Sequence, residues 1–189
     1  MLLLGSSFAK IPVLSIRIGT KVGTVIGHLI NPHSLKIDAL WVKIGGFKEP
    51  HLLLAKDIRE ASPQGIVIND IDEILNPSDA HRLKKIIDLN FNLIDKKVIS
   101  GRFPIGKVAD YAVENLTFYI RKLYVSPNIW KALNTSRLTI DRSQIIEVSQ
   151  KYVRISGNEV RESAKQKNQK QAQPAFSSLP SANTSSMEE

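Results

Sequence analysis

Apolar residues in this chain fall mostly into short alternating runs. In "LKIDALWVKI", Leu35 and Ile37 keep a period of two, and Leu40, Val42 and Ile44 keep it again in the opposite phase. Period two sends side chains alternately to the two faces of an extended chain, so the segment predicts a strand. A change of phase in mid-run predicts a β-bulge, which inserts one residue and lets a sheet curl. The same slip recurs at Phe118 and Ile120, followed by Leu123 and Val125. One stretch has a different period. In "NPSDAHRLKKIIDLN", Leu83, Ile86 and Ile87 stand at i, i+3 and i+4, which predicts an amphipathic helix. Ser78 is the expected N-cap and Asp79 suits the positive end of the dipole, with His81, Arg82, Lys84 and Lys85 on the solvated side.

The recurrence extends along most of the chain. A shift of 83 brings Gly23, Val25, Ile37, Leu40 and Val42 onto Gly106, Val108, Ile120, Leu123 and Val125. A shift of 85 brings "VLS" at 13–15 onto "VIS" at 98–100. A shift of 87 brings Ile58, Glu60, Ser62, Ile66 and Ile68 onto Ile145, Glu147, Ser149, Val153 and Ile155. The shift changes only in Gly, Pro or polar stretches, where loops absorb length. The chain therefore reads as one small β unit written twice.

Duplication decides the role of the glycines in "IGTKVGTVIG". Gly23 has a glycine counterpart at 106, whereas Gly27 corresponds to Asp110 and Gly19 to Arg102. A phosphate-binding loop would need a helix directly after it, and a β-rich run follows instead. Lys21 and His28 likewise exclude a glycine-based membrane helix contact. Gly23 and Gly106 are expected where a strand bends tightly or a neighbouring backbone comes close. Trp41 and Tyr124 project outward at equivalent positions. Such aromatics can stack on nucleic acid, touch a partner, or cover the other copy, the last being the commoner role.

The predicted organisation is a mainly β chain: a first small barrel over 8–76, a linker helix over 77–90, a second barrel over 91–156 and a disordered tail over 157–189. The tail is rich in Gln, Ser, Asn and Pro, with Phe176 and Leu179 as isolated apolar anchors for a partner. Without cysteine, disulfide and thiolate chemistry are excluded. His28, His33, His51 and His81 have neither helical ligand spacing nor cysteine partners, so no metal or cofactor is expected. "MLLLGSSFAKIPVLS" is too short for a secretory core or a membrane span, and a cytoplasmic protein is expected, with peripheral membrane contact left open.

Charge adds one more asymmetry. Lys and Arg stand at 8 against 8 Asp and Glu over 1–80, at 14 against 6 over 81–157, and at 4 against 4 beyond, so the whole net +8 sits in the middle segment. A basic half beside a neutral half suits a polyanionic partner: RNA, a ribosome-like assembly or anionic lipid. Charge density nominates Lys96, Lys97, Arg102, Lys107, Arg121 and Lys122 as contacts. The nearest groups to a catalytic set are Asp70, Asp72 and Glu73, which lack calcium-loop spacing, and Asp141, Arg142 and Ser143, which suit a strand entry. No catalytic residues are assigned and the chain is expected not to be an enzyme.

These residues resemble the PRC-barrel domains, whose pattern is an apolar strand ending in "V", a "G-x-V", an alternating strand, and a late "I-x-E-V"-like strand followed by an "I-x-V" run. Copy one supplies "PVLSIRIGTKVGTVIG", "LKIDALWVKI" and "DIREASPQGIVI"; copy two supplies "KVISGRFPIGKVADY", "FYIRKLYV" and "SQIIEVSQKYVRI". The likeness covers about residues 8–156 and implies a barrel of about six strands without an active site of its own. Among family members, the C-terminal domain of a ribosome maturation factor implies docking on a ribosomal protein, and the reaction-centre H subunit implies a scaffold at a membrane complex. This chain shows neither the maturation factor's RNA-associated barrel nor the H subunit's membrane helix, so each role is an expectation of class only: a non-catalytic adaptor with a protein partner and oligomeric state left open.

Overall fold

The computed structural model describes residues 1–127 and 138–156; Phe176 and the rest of the expected tail lie outside them. Met1–Ser156 form one compact unit. Its described residues are mainly β, with one short helix, and the strands build two curled seven-stranded sheets. Among the described residues no helix is long and apolar enough to cross a membrane.

In copy one, β2 (Pro12–Ser15), β3 (Thr20–Asn31), β4 (Lys36–Lys43) and β5 (His51–Leu54) form an antiparallel meander. β6 (Glu60–Ser62) and β7 (Gly65–Ile68) return so that β7 runs parallel to β2, and β8 (Ile74–Leu75) closes on β5. Copy two repeats the plan. β9 (Lys97–Ser100), β10 (Phe103–Glu114), β11 (Ile120–Pro127) and β12 (Leu138–Asp141) form the meander, and β13 (Ile145–Val148) and β14 (Tyr152–Ile155) return with β14 parallel to β9. The sheets curl, but the outermost strands, β6 and β8 in one and β12 and β13 in the other, are not paired with each other. Among the described residues each copy is thus a half-barrel, and the expectation of two small barrels is corrected in that respect: the edge strands are too short to complete a ladder, β6 having three residues and β8 two.

The phase slip is a bulge in both copies. Leu29 pairs with Ala39 and Ile30 with Ile37, which leaves Asp38 as the extra residue of β4; Ala112 pairs with Lys122 and Val113 with Ile120, which leaves Arg121 as the extra residue of β11. Val13, Val25, Ile37, Leu40, Val42 and Ile66, and their counterparts Val98, Val108, Ile120, Leu123, Val125 and Val153, are all 0% exposed, so equivalent positions fill the two interiors. The glycines behave as expected. A Cβ on Gly23 would stand 2.6 Å from Val42 Cγ1 and 3.2 Å from the Lys43 carbonyl, and one on Gly106 would run into the Ser126 carbonyl.

The linker is less helical than its sequence pattern. Pro77–Asp79 and His81–Leu83 are single 3-10 turns, and the helix α1 is only Lys84–Leu89. Ser78 does not cap it; its hydroxyl donates to Asp79 Oδ1 at 3.3 Å. The cause is Ala80, whose ψ of 50° breaks the helical path. That turn buries Ala80 in a cluster with Leu29, Ala39 and Leu52, around which Trp41, Leu54, Leu83, Ile86 and Ile87 pack. The apolar stripe therefore does pack on the first half-barrel.

Two backbone pairings join the copies among the described residues. β1 (Leu2–Leu4), which precedes the first copy, pairs with Ala112–Glu114 of β10 and so belongs to the second sheet. At the tips of the β3–β4 and β10–β11 hairpins, Ile37 N donates to the Phe118 carbonyl and Ile120 N to the Leu35 carbonyl, both at 2.9 Å. Ile120 is the counterpart of Ile37 and Phe118 that of Leu35, so the two bonds interchange and the contact is two-fold. Leu35 and Phe118 share a left-handed backbone there, with φ of 50° and 59°.

Candidate functional site

The six nominated cations separate into two groups. Lys96, Arg121 and Lys122 are engaged within the fold. Lys96 Nζ donates to the Gln150 carbonyl at 2.6 Å and lies 4.5 Å from the centre of the Phe91 ring, and burial lowers its pKa. Arg121 forks onto Glu114 at 2.6 Å, and the Thr117 hydroxyl and that guanidinium hold the Glu114 carboxyl below its usual range. Lys122 reaches Asp141 at 3.4 Å.

Lys97, Lys107 and Arg102 are exposed and have no ion pair among the described residues. Lys97 and Lys107 are direct cross-strand partners of β9 and β10, and the row continues to Tyr152 on one side and Ser126 on the other. Their neighbours Val98 and Val108 point inward, which sets both lysines on the outer face. Opposed Cβ atoms stand about 5 Å apart, and like charges so placed repel. Copy one puts Pro12 against Thr24 at the equivalent pair, so the ladder needs no cations there. Arg102 sits in the β9–β10 turn beside Gly101, whose φ is 59°.

Tyr124 is half-buried on β11, opposite Asp110 in register. Trp41, its counterpart, is also half-buried, and its apolar company comes from the connecting segment. Asp70, Asp72 and Glu73 shape a turn. Asp70 Oδ1 accepts from Ile71 N at 2.7 Å and its other oxygen pairs with Arg17, while Glu73 accepts from Asn69 N and Nδ2. Asp141 forms a capping box with Gln144, in keeping with strand entry.

A buried polar network on the seam went unmarked in the sequence. His28 and Tyr111 are counterparts at the shift of 83, and they meet: Tyr111 Oη and His28 Nδ1 are 2.8 Å apart, a hydrogen bond in either tautomer. Phe8 stands edge-on to the imidazole with ring centres 5.3 Å apart. His28 Nε2 is sealed from solvent without a hydrogen-bond partner among the described residues. Desolvation lowers the His28 pKa to about 4, only partly opposed by Asp110, so the ring is neutral at pH 7. Desolvation likewise raises the Tyr111 hydroxyl, with Asp110 adding to it. Asp110 is itself buried but satisfied: Ser6 N at 3.1 Å, Ser6 Oγ at 2.6 Å and Tyr111 N at 2.8 Å all donate to it. The duplication supplied the available signal, since Gly27-His28 lies over Asp110-Tyr111, but their meeting depends on the two-fold contact.

Among the described residues no group of three His, Asp or Glu side chains is placed to hold a metal ion. No protein-family model matches the sequence, and no curated protein matches it either.

Proposed function

We propose that this is a non-catalytic adaptor, made of two PRC-barrel-like half-barrels and working in the cytoplasm, that docks the outer face of its second copy on a polyanionic, ribosome-like assembly. The adjacent Lys97 and Lys107 carry the reading. Two unneutralised cations held side by side on a rigid ladder repel each other until a phosphate backbone lies across them, and the equivalent place in copy one is uncharged. Arg102 lengthens the basic face along the β9–β10 turn. The family likeness is supported by where the motifs fall: "IIEV" is β13, "YVRI" is β14, and the "G-x-V" glycines sit at the predicted close approaches.

The test is co-sedimentation of the full chain with ribosomes across a salt series. The double variant Lys97→Glu/Lys107→Glu is expected to bind about tenfold more weakly or worse, with a salt slope shallower by about 2. Unchanged binding rejects this face. Flotation with anionic vesicles, lost in the same variant while ribosome binding is absent, would reassign the face to a membrane surface.

A further inference from the structure

The two-fold contact between the hairpins leaves a cleft on each side of itself. The larger, about 520 Å³, is walled by Pro32, His33 and Leu35 of the β3–β4 hairpin and by Arg121, Arg142 and Ser143 of copy two. The smaller, about 300 Å³, is walled by Leu116, Phe118 and Tyr119 of the β10–β11 hairpin and by Lys36, Ala55 and Lys56 of copy one. The walls correspond at four places. His33 answers Leu116, Leu35 answers Phe118, Arg142 answers Ala55 and Ser143 answers Lys56. Arg142 and Ala55 each open the 3-10 turn that follows the fourth strand of their copy. The turn therefore forms without an arginine, and the fold does not demand Arg142.

Arg142 is nevertheless held in place. Its Nη1 donates to the Leu35 carbonyl at 3.4 Å, and its guanidinium lies 5.4 Å from the centre of the Tyr119 ring. Lys36 and Arg121 stand 5.5 Å and 5.8 Å from the same ring, so three cations surround one aromatic face-pair. Glu114 answers Arg121, but neither Lys36 nor Arg142 has a carboxylate partner among the described residues. Glu147 on the same wall is committed to Arg154 at 3.1 Å and to the Tyr152 hydroxyl. Lys36 and Tyr119 line the smaller cleft, so in the larger one Arg142 is the cation without a carboxylate partner among the described residues, and its guanidinium is oriented in advance by an aromatic ring and a carbonyl.

We infer that the larger cleft is a binding site for a phosphate-bearing ligand, anchored by Arg142 and separate from the outer face of β9 and β10. A guanidinium matches phosphate bidentately. A phosphate monoester, carrying close to two charges and three acceptor oxygens, offers that guanidinium more charge and more acceptors than a lone carboxylate does. The volume falls within the range of about 300–1,000 Å³ usual for small-ligand sites.

The test is calorimetric titration of the full chain with pyrophosphate, adenosine monophosphate, succinate and a short single-stranded oligonucleotide. Both phosphate compounds are expected to bind, succinate far more weakly, and Arg142→Gln should lower phosphate affinity about tenfold or more without changing the melting temperature. The Lys97→Glu/Lys107→Glu variant should bind them as the native chain does, which separates this site from the docking face. Oligonucleotide binding that is tighter than that of the mononucleotide and lost in Arg142→Gln would assign the phosphate to a strand. The inference is overturned if neither phosphate compound binds up to about 10 mM, if succinate binds equally well, or if Arg142→Gln leaves affinity intact.

Discussion

The two copies share a backbone to the level of single residues and differ where side chains meet solvent. Both bulge at the same place, at Asp38 and Arg121. Both turn left-handed before their first paired strand, at Lys10 and Asp95, with φ of 68° and 64°. Around each bulge, however, Asn31 Nδ2 donates to Asp38 in one copy, and Arg121 donates to Glu114 in the other, so the same contact is kept with its polarity reversed. Pro12 and Thr24 give way to Lys97 and Lys107, and Ala55 gives way to Arg142. A cation that the sister copy omits and that has no ion pair among the described residues is not needed by the fold, and this is why both proposed sites lie in or beside copy two.

The largest expected break of the likeness lies at the paired glycines. An added methyl meets main chain at Gly106 but mostly the movable Val42 side chain at Gly23. Gly106→Ala should cost about 3 kcal/mol or more and Gly23→Ala about 1–2 kcal/mol, read from urea midpoints; equal costs would mean that the two bends are not differently built. Next comes the seam histidine, where the copies differ as His28 and Tyr111. Because the folded pKa of about 4 lies below the ordinary 6.5, the unfolded chain binds the proton more readily in between. Stability from this group is full above pH 6.5 and falls as pH drops toward 4. Between pH 7 and 4.5 the native chain should lose about 2 kcal/mol more than His28→Gln, and parallel pH curves would refute the buried neutral ring. The smallest effect should come from giving copy two a residue of copy one. Lys96 corresponds to the buried Ile11, and Lys96→Ile should move stability by no more than about 0.5 kcal/mol, since lost hydrogen bonding to Gln150 is offset by apolar contact.

Much of this was legible because strands have a rigid period. A phase slip such as Ile37 to Leu40 has no explanation in an extended chain except an inserted residue, and its repetition at Ile120 to Leu123 fixed the duplication. Glycine was readable for a similar reason, once only position 23 found a counterpart. Helix length was not, because burial of Ala80 overrides the pattern around it. Nor were the partners of Lys96, Arg121 and Lys122, since Gln150, Glu114 and Asp141 are brought to them by folding; a charge count treats all six cations alike. Arg142 looked like a strand entry, which it is. Its further significance depends on the cleft wall and on Ala55, the residue it replaces.

The pairing of β1 with β10 also orders events in time. Ser6 and Asp110 are 104 positions apart, so as the chain leaves the ribosome Leu2–Leu4 stay without a ladder until the whole first copy and β10 have been synthesised. The N-terminal strand is therefore a clasp shut late, and any hold on it before then delays the sealing of the Asp110 and Tyr111 end of the molecule.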